Sequence, residues 1–181
     1  AGAHHVVEDD DILAGEHYAE GTGIASNDLI AGGFGDDLIL GGADHDTLYG
    51  EFGDDVILGG SGYDVITGGP GADELDGGAN NDLFRYTSIA DYYPDGGDTI
   101  TNFSVSILGS DGFDLVQLFH AVGAPALTVA DARAQGWLRV VQFGSTALVQ
   151  FDINGGGDNF GTVARLVDVT AASVTDNMFL I

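Results

Sequence analysis

Residues 23–85 read GIASNDLIA, GGFGDDLIL, GGADHDTLY, GEFGDDVIL, GGSGYDVIT, GGPGADELD and GGANNDLFR, seven units of nine residues joined without a gap. Position one is glycine in every unit, position six is aspartate, and position eight is a large hydrophobe. A fixed short period held through contiguous units marks a solenoid, in which each unit buries its apolar face only by stacking on its neighbours. Positions one to six predict a tight turn, because glycine permits positive φ and leaves backbone carbonyls open to a ligand. Positions seven to nine predict a short strand whose middle side chain points opposite to its neighbours. Ile30, Ile39, Leu48, Ile57, Ile66, Leu75 and Phe84 are therefore expected to form one thin apolar stack.

The charge balance says what the turns are for. The 181 residues carry 4 basic and 29 acidic side chains, a formal net charge of −25, and no lysine. Nucleic acid and anionic membrane surfaces are excluded as partners, since phosphate binding needs a basic patch. Disorder is a poor account of the acid, because 44% of positions are hydrophobic and disordered chains are poor in such residues. The carboxylates need a multivalent counter-ion, and hard cations such as calcium prefer carboxylate and carbonyl oxygen. Without cysteine, disulfides and thiolate metal sites are absent. No long apolar run or N-terminal signal peptide is read, so a soluble chain without membrane insertion is expected.

These columns resemble the RTX family of nonapeptide repeats, GGxGxDxUx, across about a third of the chain. The resemblance implies an all-β fold: a right-handed parallel β-roll, a calcium-binding solenoid in which two units make one coil. It implies that each ion takes the carbonyls of positions two and four and the aspartate of one turn. The ion also takes the carbonyls of positions one and three and the aspartate of the turn eighteen residues on. One row would use Ile24, Ser26, Asp28, Gly41, Ala43 and Asp46, then Gly42, Asp44, Gly59, Ser61 and Asp64, then Gly60, Gly62, Gly77, Ala79 and Asp82. The other would use Gly33, Gly35, Asp37, Gly50, Phe52 and Asp55, then Glu51, Gly53, Gly68, Pro70 and Asp73. That makes about five calcium ions or more, with a further half-site assigned to Asp10 in HVVEDDDIL. The second row is expected to bind more tightly, because position four is glycine throughout it at Gly35, Gly53 and Gly71.

Residues 1–22 read as a lead-in or degenerate coil, 23–85 as the roll, and 86–181 as a small β-rich cap. In that last part DTITNF, FDLVQL, WLRVVQF, TALVQFDI and VARLVDV read as strands, with short helices opening at Thr128 and near Ala171. The order of these elements and the end DNMFLI resemble the targeting region of bacterial proteins exported by type I secretion, which implies secretion machinery as a partner and an extracellular or surface location. Asp152, Asn154 and Asp158 around three glycines suit either another calcium loop or a hairpin turn.

No HExxH, GxSxG or nucleophile-base pairing occurs, so no catalysis is expected in this chain. His45 reads as a solvated turn residue. A module that folds on calcium outside the cell is the leading expectation. A calcium-dependent adhesion or self-assembly module, binding a glycan or a neighbouring subunit through Tyr63, Tyr92 and Tyr93, is the alternative. A third possibility makes the chain the C-terminal part of a secreted enzyme or toxin whose other domains lie upstream. Leu38, Leu40, Val56 and Leu58 are expected to form an outward apolar patch that ends at Glu74 and Asp76.

Overall fold

In the computed structural model, residues 5–6, 18–20, 27–91, 97–106, 109–124, 126–157 and 159–181 are described. The strands of the first half are β1 (His5–Val6), β2 (Tyr18–Glu20), β3 (Asp28–Phe34), β4 (Leu38–Ala43), β5 (Thr47–Phe52), β6 (Val56–Ser61), β7 (Val65–Thr67), β8 (Glu74–Ala79) and β9 (Leu83–Arg85). Those of the second half are β10 (Asp98–Thr101), β11 (Gly112–Asp114), β12 (Leu138–Phe143), β13 (Thr146–Asp152), β14 (Phe160–Leu166) and β15 (Phe179–Leu180).

Consecutive strands of the repeat go to opposite sheets. One sheet has the order β1-β3-β5-β7-β9-β11-β15, the other β12-β13-β14-β10-β8-β6-β4-β2. All pairs from β1 to β11 are parallel, with Ile39 beside Ile57, Ile57 beside Leu75, Leu48 beside Ile66, and Ile66 beside Phe84. A nine-residue unit that supplies one turn and one strand must place its successor on the other sheet, so identical positions meet every second unit. The seven position-eight side chains are at most 2% exposed. This is a parallel β-roll with a core one residue wide, and at about 0.8 kcal/mol per buried CH₂ so narrow a core depends on what its turns contribute.

The sheets run past the boundary drawn at residue 85. Strand β10 pairs with β8, placing Ile100 beside Leu75, and β11 pairs with β9, placing Phe113 beside Phe84. Ile100 and Phe113 are fully buried, so residues 98–101 and 112–114 add one more layer to the roll. The chain then closes the stack. Strands β12, β13 and β14 form an antiparallel meander, and β14 lies parallel to β10. Phe113 sits between Phe103 at 5.3 Å and Phe179 at 5.3 Å, an aromatic plug over the open end of the core.

Three local expectations are refined. The segment FDLVQL divides: its first residues complete β11, and Val116–Ala121 form helix α1. Leu115, Leu118 and Phe119 recur at the spacing of a helical face and are all buried, so burial on one side outweighs the strand-like composition. The helix expected at Thr128 is α2 (Val129–Ala134), where the Thr128 hydroxyl accepts from Asp131 N–H at 3.1 Å and Asp131 accepts from Thr128 N–H at 3.3 Å. Near Ala171 there is one 3₁₀ turn, Ala171–Ser173. On the outer face Leu38, Leu40 and Val56 are half-buried and Leu58 is exposed, with Glu74 and Asp76 next in register.

Candidate metal centre

Each turn hangs on its aspartate. The position-six N–H of one turn donates to Oδ1 of the aspartate one layer on: Asp28 to Asp46, Asp37 to Asp55, Asp46 to Asp64, and Asp55 to Asp73, all at 2.8 Å, then Asp64 to Asp82 at 2.9 Å. The position-seven N–H donates to the aspartate carbonyl of the layer before, as Val56 does to Asp37 and Leu83 to Asp64 at 2.8 Å. Two bonds per layer fix the aspartate column in register, and each Oδ1 that accepts one N–H keeps a second lone pair.

Oδ2 has a different fate. In Asp46, Asp55, Asp64 and Asp82 it is buried and has no hydrogen-bond partner, a costly state for a charged oxygen unless a cation supplies the missing interaction. At each of three turns a carbonyl of the next layer reaches the same place. The spot a side chain at Gly41 would fill lies 2.7 Å from Asp46 Oδ2 and 2.5 Å from the Gly59 carbonyl. At Gly59 the corresponding spot lies 2.6 Å from both Asp64 Oδ2 and the Gly77 carbonyl. At Gly32 it lies 2.6 Å from Asp37 Oδ2 and 2.9 Å from the Gly50 carbonyl. Calcium takes carboxylate and carbonyl oxygens, so these donors and the open space beside them suit that ion. Glycine at position one keeps this cradle clear.

The same burial governs protonation. Withdrawal from water holds the carboxyls of Asp46, Asp55, Asp64 and Asp82 up at about 6, and that of Asp73 at about 7. Burial raises Asp111 as well. Neighbouring carboxylates add to the shift: Asp64 and Asp28 face Asp46, and Asp37 faces Asp55. These groups favour a proton, or a cation in its place.

Many of the carbonyl positions expected from sequence lie on left-handed backbone. Gly33, Gly35, Gly42, Gly53, Gly60 and Gly62 all have positive φ, as do Asp44 at 75° and Glu51 at 72°. Glu51 stands where other units have glycine, and its left-handed backbone costs roughly 1–2 kcal/mol. A side chain at Gly53 would run into the Gly35 carbonyl, so position four is closed to larger residues there. The position-three carbonyls of Phe52, Pro70 and Ala79 each accept one N–H, from Gly35, Gly53 and Gly62, and keep a second lone pair. Ala43, Ser61, Gly68 and Gly77 lie in the same turns. Ile24, Ser26, Asp10 and Asp158 lie outside the described residues, as do Tyr92 and Tyr93.

Among the described residues no group of three or more His, Cys, Asp or Glu side chains gathers for a metal, so carbonyls must supply most of the oxygens. Asp152 is committed elsewhere: its Oδ1 accepts from Asn154 N–H at 3.0 Å and its Oδ2 from Gly157 N–H at 2.7 Å. It organises the hairpin between β13 and β14. Sequence reading missed a second ladder, at position five. Asn27 accepts from His45 N–H at 3.1 Å, His45 Nδ1 from Tyr63 N–H at 2.8 Å, Asp36 from Asp54 N–H and Asp54 from Ala72 N–H, both at 2.9 Å. His45 is thus a rung between turns, and the signal available was an acceptor side chain at position five of successive units.

Residues 22–57 and 49–84 match the family described as the RTX calcium-binding nonapeptide repeat, a calcium-binding module rather than a catalytic one. No relative is found among curated proteins. Among solved structures, the chain is similar to the AlgE6R3 subunit of the mannuronan C5-epimerase of Azotobacter vinelandii. The match has a TM-score of 0.57 and 24% identity over 88% of this chain and 82% of that one. At this identity the likeness speaks to the fold.

Proposed function

On the premise that this chain is an RTX calcium-binding repeat protein, we propose that it folds on calcium outside the cell and supports type I secretion of a larger bacterial protein. The observation that supports this reading is the column of buried carboxylates whose Oδ2 atoms lack hydrogen bonds. When bound, calcium supplies the positive charge those oxygens need. The aspartate Oδ1 atoms hold the layers in register, the Oδ2 atoms with the carbonyls of positions one to four hold the ion, and position-one glycines leave it room. Five such sites follow from the pairs Asp28 and Asp46, Asp46 and Asp64, Asp64 and Asp82, Asp37 and Asp55, and Asp55 and Asp73.

In a compartment poor in calcium the −25 charge repels itself and the thin core does not offset it, so the repeats stay extended and can be threaded through a channel. The C-terminal residues 176–181 serve as the export signal in this reading. A passenger fused ahead of residue 1 is expected in the medium of a bacterium with a type I exporter, and removal of residues 138–181 is expected to keep it inside. Retention of the intact fusion would sink the export half of the reading and leave calcium binding standing.

One feature favours a second reading, a surface module that grips a glycan. Phe34 and Phe52 are 75% and 53% exposed and stack at 5.1 Å with their planes 7° apart. Tyr63, 55% exposed, packs on His45 at 5.0 Å. Flat exposed rings suit the apolar faces of sugars. Glycan-array binding lost in F34A/F52A supports this reading, and an array without signal removes it.

A further inference from the structure

The calcium row that runs through Asp28, Asp46, Asp64 and Asp82 ends, by the nonapeptide count, at Asp82. The structure carries it further. Strand β11 occupies the next layer, with Gly112 beside Leu83 and Phe113 beside Phe84. Asp82 N–H donates to Asp111 Oδ1 at 2.9 Å and Gly112 N–H donates to the Asp82 carbonyl at 2.9 Å. Both bonds repeat those of every earlier layer, although 29 residues separate Asp82 from Asp111 instead of 18. Gly109, two residues before Asp111, has φ of 152°, and Gly62, two residues before Asp64, has φ of 153°. Residues 109–114, GSDGFD, thus rebuild positions four to nine of a unit after an insertion.

We propose that Asp82 and Asp111 hold a calcium ion outside the nonapeptide array. The proposal rests on the calcium reading of the rows. Its own observation is Asp82 Oδ2: the residue is 3% exposed, the oxygen has no hydrogen-bond partner, and it is the nearest atom to the unfilled side-chain position of Gly77. It therefore aims into the cradle of Gly77, as Asp46 Oδ2 aims into that of Gly41, while Asp111 faces Asp82 from the next layer. By the rule of the other sites, the carbonyls of Gly78 and Asn80 lie on the near side. Asp111 Oδ1 accepts one N–H and keeps a lone pair for the ion. The remaining oxygen marks where the row stops. Asp111 Oδ2 accepts from Ser104 N–H at 2.7 Å, so a backbone donor stands where the next ion would be.

The test is a calcium count per chain at saturating calcium, by native mass spectrometry, for the wild type, D111N and D55N. D111N is expected to bind one ion fewer than the wild type, and D55N two fewer. Long-wavelength anomalous scattering from wild-type crystals grown in calcium is expected to place a peak between Asp82 and Asp111, which decides the matter even if D111N does not fold. Peaks between Asp46 and Asp64 with none beside Asp111, or an unchanged count in a folded D111N, would overturn the proposal and leave the rows intact. No ion anywhere would overturn the rows and this site with them.

Discussion

With a chelator at neutral pH, the far-ultraviolet circular dichroism of this chain is expected to lose most of the β signal of residues 28–85, and millimolar calcium is expected to restore it. The reason is the mismatch between a core one side chain wide and a column of buried carboxylates. An unpaired buried carboxylate costs several kcal/mol even after relaxation, whereas total stability of a domain is typically about 5–15 kcal/mol. The few carboxylates that are both buried and without a partner therefore suffice to undo the roll when ionised. Acid gives a control. The folded-state values of Asp46, Asp55, Asp64 and Asp82 are raised to about 6, and that of Asp73 to about 7, above the ordinary 3.8. The metal-free fold binds more protons than the unfolded chain across that interval. Its stability is thus fully present below about pH 4 and is lost as pH rises through 6 to 7. Part of the β signal should return at pH 5 without calcium, and calcium should bind more weakly at pH 5 than at 7.5 because it must displace those protons. A spectrum indifferent to chelator at neutral pH would refute coupling of folding to calcium.

The second large effect belongs to one atom group. D55N is expected to remove two calcium sites at once, because Asp55 faces Asp37 on one side and Asp73 on the other. Asparagine keeps an oxygen to accept the Asp37 N–H, so the ladder survives and the loss is one of charge. An ion present at a hundredfold over its dissociation constant contributes about 2.7 kcal/mol, so two contribute about 5 kcal/mol. That is as large as the whole stability of a modest domain. In calcium titrations followed by circular dichroism, D55N should need markedly more calcium to fold, while D36N, on the exposed position-five ladder, should shift the curve little. Equal curves for D55N and the wild type would refute the shared ligand.

Much of this was legible in the sequence because a solenoid repeats its physics along with its residues. Once Gly, Asp and a large hydrophobe recur every nine positions, turn, ladder and core follow for all units together. Reading failed where the period broke. Asp98 and Asp111 stand 25 and 29 residues after their ladder partners, so the eighteen-residue period does not place them in the rows, although PDGGD and GSDGFD each carry the aspartate and glycine of a weaker calcium loop. Helix α1 was hidden because Leu115, Val116 and Leu118 are as good in a strand as in a helix, and only the burial of Leu115, Leu118 and Phe119 on one side decides. His45 is the exposed turn residue expected, but its role as a rung was missed for a related cause. A single turn says nothing about the backbone donor that the next layer brings to Nδ1.

The layer formed by β10 and β11 touches repeat on one side, at β8 and β9, and cap on the other, at β14 and β15. It works like the seed face of a crystal. Its strands are anchored by side chains of the cap, whose core is several residues deep, and its free edges present Asp98 and Asp111 as ready acceptors for the N–H groups of Asp73 and Asp82. Every later layer repeats that offer to the one before it in sequence. Growth from such a face is expected to run from the carboxyl end toward the amino end, one coil and its ions at a time. A chain that emerged carboxyl end first would then bring out its template ahead of the material to be ordered on it, and each new coil would oppose the chain's slipping back.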